Sequence, residues 1–242
     1  MSMYYSRISD RSKISTRSGT NVVLPTDFSH LTSLVIGRCS YLQSLIQEVI
    51  YASHGPEIRS SKTALAENPN PKARMEFLCS FEYKTPDPVI ATVFEYAQKL
   101  FRDIYELRCV LAHENWMSSD DFEGVVLFSE LGEEARRLMI SAKVEYNNDT
   151  TPKATFDGIM RYIQKIKVVS PVNLRKALQD TDLCSWILMT ISHLLKEADE
   201  NKKIALRETF SVFGGTAHLF EQENSKNKTV SVRSLRTNSI KQ

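Results

Sequence analysis

The chain has 242 residues, of which 42% are hydrophobic and 25% are charged, a composition typical of globular proteins with a sizeable core. It contains only eight glycines and eight prolines, and this scarcity of turn-forming residues argues against an all-β fold and favours long helices. The net charge of +2 includes +3 from residues 1–20 and +4 from residues 223–242, so residues 21–222 carry −5. The net charge of this central part therefore repels nucleic acid and excludes nucleic-acid binding by net charge alone.

Apolar residues recur at helical spacing along most of the chain, and this pattern predicts an all-α fold. The first segment, residues 1–22, is polar and basic, which predicts a disordered tail. Thr26 or Asp27, directly after Pro25, is expected to cap the first helix. The predicted helices span residues 31–51, 72–82, 89–113, 130–146, 153–167, 183–198 and 202–220.

Several short sequences are expected to interrupt these helices. The His-Gly-Pro sequence at 54–56 should end the first helix, and the stretch 57–71, rich in Ser, Asn and Pro, is predicted to be loop. The run GVVLF at 124–128 is the only convincing strand candidate. The glycine pair at 214–215 should break or kink the last helix, and the basic segment 223–242 is predicted to be disordered.

The domain organisation follows from these elements. Residues 23–146 are predicted to form the principal helical body. Residues 147–222 are predicted to add C-terminal helices packed on the same body, between that body and the disordered basic tail at 223–242.

The cysteines and the hydropathy of the chain indicate its compartment. Cys39, Cys79, Cys109 and Cys184 are far apart in apolar helical stretches, so buried, reduced thiols are expected. No apolar run reaches the length of a membrane span, and the N-terminal segment has no apolar core of a secretory signal. A cytoplasmic protein without a membrane partner is therefore expected. No cluster of His, Cys, Asp or Glu has metal-ligand spacing, so no metal or cofactor is expected.

The helix predicted over 89–113 has an apolar face and a polar face. At 100° per residue, a core stripe lies within about 60° of Ile104 and comprises Ala97, Leu100, Leu107 and Leu111. The opposite side, at about 140° to 200°, carries Cys109, Arg102, His113 and Glu106. Arg108 lies nearer the stripe, at about 40°, but its side chain is long enough to curl round the helix. A second helix, from this chain or from a symmetry mate, could pack against the polar face.

The sequence LRCVLAH at 107–113 resembles the R-x4-6-H motif of the HEPN superfamily, and it is especially similar to the LRNxxAH form common in bacterial members. Trp116 follows the motif, as aromatic residues often do in that family. The resemblance covers about residues 26–145. It implies a HEPN-like helical bundle over residues 23–146 and a homodimer. Many members of the family are metal-independent endoribonucleases of toxin–antitoxin, abortive-infection and antiviral systems.

The resemblance implies roles for the two motif residues, His113 as the acid/base and Arg108 as the phosphate clamp. RNA carries its own nucleophile, the 2′-hydroxyl, so no metal-bound water is required. An imidazole can take and give a proton near neutral pH, and a planar guanidinium can hold a phosphate and stabilise charge on its oxygens. In a homodimer two such pairs would meet in one cleft. The expected partners are RNA, a second copy of the chain, and an antitoxin or defence partner protein.

Arg102, Cys109 and Glu114 are expected to complete the site as substrate-binding residues. The chain departs from the family pattern at two of them, because Cys109 stands where a polar residue, often Asn, follows the arginine, and Glu114 stands where Gly often follows the histidine. Cys109 and His113 are i and i+4, so Cys109 occupies the position that would touch the imidazole. The carboxylate of Glu114 could hold His113 protonated or repel a phosphate.

Three other interpretations of these residues stay open. A non-catalytic HEPN-like module would use the motif face for dimerisation or partner binding. Alternatively, Arg108 could pair with an acidic neighbour while His113 caps the C-terminus of its helix. Finally, Cys109 and His113 could form a thiol–imidazole pair for nucleophilic catalysis, although no oxyanion site or third group is apparent.

Overall fold

The computed structural model describes residues 3–8, 17–18, 22–66, 70–82, 85, 87–129, 164–212, 216 and 219, without the side chains of 17–18, 54–66 and 71. This part of the chain is predominantly helical, as the composition predicted. Its helices are α1 (Phe28–Ala66), α2 (Pro71–Ser80), α3 (Pro88–His113), α4 (Pro171–Lys196) and α5 (Glu200–Val212). Its strands are β1 (Ser6–Arg7), β2 (Arg17–Ser18), β3 (Asn115–Ser118), β4 (Val126–Ser129) and β5 (Lys167–Val169).

Local capping explains why α2 and α3 begin within a residue of their predicted starts. Asn70 caps α2 by accepting a hydrogen bond from the backbone N–H of Lys72, at 3.0 Å. Asp87 accepts one from the N–H of Val89 at the start of α3, at 2.9 Å. Prolines stand at the first position of both helices, where no N–H is needed.

Two helices are longer than predicted. Helix α1 continues through the His-Gly-Pro sequence at 54–56 and ends at Ala66, so the predicted stop and most of the predicted loop at 57–71 are wrong. A proline removes one backbone donor, and a helix can continue on both sides of such a local loss. Helix α4 begins at Pro171, well before the predicted residue 183. Its start is fixed by reciprocal bonds, because Asn173 accepts from the N–H of Ser170 at 2.9 Å and donates its own N–H to the Ser170 hydroxyl at 3.2 Å.

The five strands form one antiparallel sheet in the order β1-β5-β4-β3-β2. Only β4 coincides with the predicted strand. Strands of two to four residues are too short to show a clear alternation of polar and apolar residues in the sequence. The start of β5 at Lys167 also replaces the end of the helix predicted over 153–167.

The sheet has different neighbours on its two faces. On one face Trp116 and Phe128 lie opposite each other on β3 and β4, and both rings contact Phe28 of α1, at centroid distances of 5.7 and 6.3 Å. Side chains alternate in a strand, so the neighbouring residues Met117 of β3 and Leu127 of β4 point to the opposite face of the sheet. There they form a separate buried cluster with Ile8 and Ile166.

The prediction of a disordered tail over 1–22 is wrong for residues 3–8 and for residues 17–18, which form β2. Strand β1 pairs with β5, with Ser6 opposite Val168, and Tyr4 is fully buried. The hydroxyl of Tyr4 donates a hydrogen bond of 2.9 Å to the carboxylate of Asp180 in α4. The composition of the segment is polar, but its contacts with distant parts of the chain offset the conformational entropy that is lost when the segment is ordered.

The described residues divide into two compact units, and neither is a continuous segment. The first unit contains residues Met1–Tyr41 and Phe101–Asp182, and therefore the sheet. Its buried side chains include Phe28, Val35, Phe101, Ile104, Leu107, Phe128, Leu174 and Ala177. An exposed ion pair joins Arg38 of α1 to Asp182 of α4.

The second unit contains residues Leu42–Leu100 and Leu183–Gln242. Its buried side chains include Leu42, Ile46, Leu78, Phe94, Leu188 and Phe210. The buried amide of Gln98 in α3 donates to the carbonyl oxygens of Leu78 and Phe81 at the end of α2, at 2.8 and 3.0 Å. Glu48 of α1 accepts hydrogen bonds from Ser192 and Lys196 of α4. These bonds tie the helices of this unit together through side chains as well as through apolar packing.

Several sequence predictions fall outside the described residues. They are the helix at 130–146, most of the helix at 153–167, the boundary at 146/147, the glycine pair at 214–215 and the tail at 223–242. The four cysteines are free, as predicted. Cys39 and Cys184 are buried, but Cys79 and Cys109 are only half-buried, so the predicted burial is right for two of the four. In the described ranges, no helix is both long enough and apolar enough to cross a membrane.

Candidate active site

The motif helix α3 presents the faces that its periodicity predicted. Within the first unit, Ile104, Leu107 and Leu111 are almost fully buried. His113 is exposed on the other side, in the last turn of the helix. The burial of the stripe therefore fixes which side of α3 faces solvent.

The end of α3 is held by the residues that follow it. The backbone N–H of Glu114 donates to the carbonyl of Val110, at 3.1 Å, and closes the last turn. The indole N–H of Trp116 donates to the carbonyl of Leu111, at 3.0 Å. Because Trp116 also packs against Phe28 and Phe128, the last turn of the helix is attached to the core of the unit.

The two motif residues contact each other. Nη1 of Arg108 lies 2.9 Å from Nε2 of His113, and His113 is exposed while Arg108 is half-buried. A guanidinium can only donate, so Nε2 must accept, and this contact requires the neutral imidazole with its proton on Nδ1. The long side chain of Arg108 thus curls round the helix from its position near the core stripe.

Tyr105 supports the guanidinium from the preceding turn. The Cζ atom of Arg108 lies 5.9 Å from the centroid of the Tyr105 ring, within the range of a cation–π contact. Burial raises the pKa of the Tyr105 hydroxyl, and the neighbouring Cys109 thiol raises that pKa further. Tyr105 is therefore neutral near physiological pH and presents an uncharged ring to Arg108.

Cys109 lies one turn after Tyr105 and raises the pKa of the Tyr105 hydroxyl. In the part of the chain that the structure describes, no hydrogen bond joins Cys109 to His113. The thiol–imidazole pair requires a hydrogen bond between the Cys109 thiol and the His113 imidazole. Without that bond, the geometry does not support a nucleophilic thiol at Cys109.

Glu114 has a partner that the sequence did not indicate. Its carboxylate forms an ion pair with Lys167 of β5, and the side chains are only 9% and 15% exposed. Lys167 Nζ also lies 5.6 Å from the centroid of the Tyr5 ring. The charge of Glu114 is therefore neutralised beside His113, which removes the expected repulsion of a phosphate at this position.

The remaining predicted site residue, Arg102, is exposed on α3 but lies eleven residues before His113. At 1.5 Å per residue this places it about 16 Å away along the helix axis. The structure thus brings Arg108 and His113 together, places Cys109 beside Tyr105 and Glu114 beside Lys167, and leaves Arg102 apart.

Two neighbours of the site were missed by sequence reasoning. Tyr105 lies three residues before Arg108, a spacing that places two side chains on one helix face, so its position could have been inferred. Lys167 is 53 residues from Glu114, and no local pattern connects the two positions.

The described residues contain no group of three or more His, Cys, Asp or Glu side chains arranged to hold a metal ion. Comparison with protein-family models, with curated proteins and with solved structures found no match for this chain.

Proposed function

We propose that the protein is a HEPN-like, metal-independent endoribonuclease in which His113 is the acid/base and Arg108 binds the scissile phosphate. The observation that carries this proposal is the 2.9 Å contact between Arg108 and His113 at an exposed position. It brings a group that moves protons and a group that binds phosphate within reach of one ligand.

The reaction is cleavage by the neighbouring 2′-hydroxyl of the RNA. The 2′ oxygen forms a bond to phosphorus, the bond from phosphorus to the 5′ oxygen breaks, and a 2′,3′-cyclic phosphate results. His113 takes the proton of the 2′-hydroxyl at Nε2. In the homodimer that the family resemblance implies, the histidine of the second copy gives a proton to the departing 5′ oxygen.

The contact between the two motif residues makes the base responsive to substrate. In the free protein Arg108 occupies the lone pair of His113 Nε2. A guanidinium has five N–H donors, so most of them remain for phosphate oxygens. When a phosphate takes over Nη1 in a fork-like contact, the imidazole lone pair is released at the moment when the 2′-hydroxyl is present.

The electrostatic surroundings favour this assignment. Lys167 neutralises Glu114, so the carboxylate next to His113 does not oppose an incoming phosphate. The proposal includes the wider setting that the resemblance implies, namely a cytoplasmic homodimer acting with an antitoxin or defence partner protein.

The test is cleavage of a labelled RNA in the presence of EDTA by the wild-type protein and by the His113→Ala variant. Cleavage should survive EDTA and fall at least about 100-fold in the variant, the usual contribution of an acid/base group. His30→Ala is the matched control, because His30 is also exposed on a helix and should keep full activity. Full cleavage by His113→Ala, or cleavage of a strand with 2′-deoxyribose at the scissile position, would contradict the mechanism.

The alternative function is a non-catalytic HEPN-like module that uses the polar face of α3 for dimerisation or partner binding. It is favoured by Cys109, a weakly hydrogen-bonding thiol that stands at the motif position where the family often has a polar residue. This alternative predicts no RNA cleavage by the wild-type protein. It also predicts that Arg102→Glu, on the exposed part of that face, weakens self-association in analytical ultracentrifugation.

A further inference from the structure

The side chains of Trp116 and Lys167 both reach the end of α3 from the same face of the sheet. Lys167 of β5 lies opposite Phe128 of β4, and Phe128 lies opposite Trp116 of β3. Residues opposite each other in a sheet point to the same side. The indole of Trp116 donates a hydrogen bond to the carbonyl of Leu111, and the ammonium group of Lys167 pairs with the carboxylate of Glu114. The two contacts therefore lie on either side of His113 in the sequence.

Lys167 is itself held on several sides. Its strand, β5, is paired on both sides, and Lys167 lies opposite Arg7 of β1 and opposite Phe128 of β4. Its ammonium group approaches the ring of Tyr5, and only 15% of its side chain is exposed. It is thus a fixed anchor rather than a mobile surface lysine.

Glu114 depends on this anchor. Its Oε1 atom receives the Lys167 contact, and its Oε2 atom is buried with no hydrogen-bond partner among the described residues. Removal of the ammonium group would leave a buried carboxylate without a counter-charge, which is strongly unfavourable. The carboxylate would then turn toward water and move the backbone next to His113.

We propose that Lys167 is a positioning residue, which acts through Glu114 to fix the last turn of α3 and so to hold His113 against Arg108. This inference rests on the proposed function for its catalytic consequence. The contact that it explains, between Nη1 of Arg108 and Nε2 of His113, is measurable without any RNA.

The expected catalytic effect is on the rate of cleavage more than on RNA binding. A misplacement of about 1 Å can cost a reaction roughly 100-fold. Lys167→Met should therefore lower kcat by about 10- to 100-fold, while KM stays within about twofold because Arg108 still binds the phosphate. Glu114→Ala, which removes the same tether from the other end, should have the same effect.

The decisive experiment is NMR of the imidazole nitrogens in protein labelled with ¹⁵N-histidine, with the His113 signals assigned from their loss in His113→Ala. The wild-type protein should show His113 as the Nδ1–H tautomer with an acceptor Nε2. Lys167→Met and Glu114→Ala should both shift these signals toward those of a freely exposed histidine. Glu114→Gln keeps an acceptor for Lys167 and should leave them unchanged, as should the control Lys165→Met, which alters an exposed lysine two residues away.

If the His113 signals of either Lys167→Met or Glu114→Ala are those of the wild-type protein, the positioning role is wrong. It is also wrong if the His113 signals shift as far in Glu114→Gln as they do in Glu114→Ala. If Lys167→Met does not fold, Glu114→Ala decides the question, because the long side chain of Lys167 can carry its unpaired ammonium group into water. If the wild-type protein does not cleave RNA, the nuclease proposal fails, while the nitrogen signals still test the positioning role.

Discussion

The hydrogen bond between Tyr4 and Asp180 gives a sharp test of whether the N-terminal segment belongs to the folded unit. Tyr4 is fully buried, and its hydroxyl donates to one oxygen of the Asp180 carboxylate at 2.9 Å. The other oxygen accepts from Lys176, at 2.6 Å. Tyr4→Phe keeps the buried ring and removes only the hydroxyl, so it isolates the hydrogen bond from the packing.

The size of the effect follows from the burial of the acceptor. Only 6% of the Asp180 side chain is exposed, so water cannot readily replace the lost donor. A hydrogen bond to a charged group contributes about 1.5–3 kcal/mol, so the variant should lose that much free energy of unfolding. This corresponds to a roughly 10- to 150-fold shift in the folding equilibrium, and to a fall in Tm of about 3 to 12 °C for a chain of this size.

Urea denaturation followed by circular dichroism measures this loss. Tyr5→Phe is the matched control, because the Tyr5 ring, rather than its hydroxyl, faces Lys167, and stability should change by less than about 0.5 kcal/mol. Asp180→Asn in the Tyr4→Phe background should cost less than it does in the wild-type protein, since the two side chains act as a pair. Equal stability of Tyr4→Phe and the wild-type protein would refute the reasoning and leave residues 3–8 outside the folded unit.

Two further predictions concern the end of α3 and the second unit. Trp116→Phe removes the bond to the Leu111 carbonyl and should cost about 1 kcal/mol, with faster amide hydrogen exchange in the last turn of α3 as the measurement. Hydrogen bonds from Lys196 and Ser192 hold the pKa of Glu48 below its usual value of 4.5. The free energy of unfolding that these bonds contribute is therefore fully present above pH 4.5 and is lost as the pH falls through the lowered pKa. Glu48→Gln should remove this part of the pH dependence in urea denaturation, and an unchanged dependence would contradict the assignment.

The sequence was sufficient for elements whose signals are local. Helices α2 and α3 start beside Asn70 and Asp87, which cap them through the neighbouring backbone, and β4 coincides with the one apolar run that stood out. The other strands could not be inferred, because two to four residues gain strand geometry only from partners far along the chain. For the same reason the polar composition of residues 3–8 gave no sign of their pairing with β5.

The candidate site divides in the same way. The helical wheel placed Arg108 and His113 about 140° apart, so only the length of the Arg108 side chain allowed the expectation that the two could meet. The helical periodicity predicted that His113 is exposed. The partner of Glu114 could not be inferred, because Lys167 lies 53 residues further along the chain, in an unpredicted strand. The sequence alone therefore left open the electrostatic effect of the Glu114 carboxylate, whose charge the ion pair with Lys167 neutralises.

The strand order has a consequence for the handling of the protein. Both outermost strands, β1 and β2, come from the first eighteen residues, and they cover β5 and β3 from opposite sides. Proteolytic trimming of that segment would uncover two rows of unpaired backbone donors and acceptors at once, which are templates for edge-to-edge association between molecules. Strands β1 and β2 thus keep β5 and β3 paired at the two edges of the sheet, and a chain without them should associate with other copies more readily than the intact one.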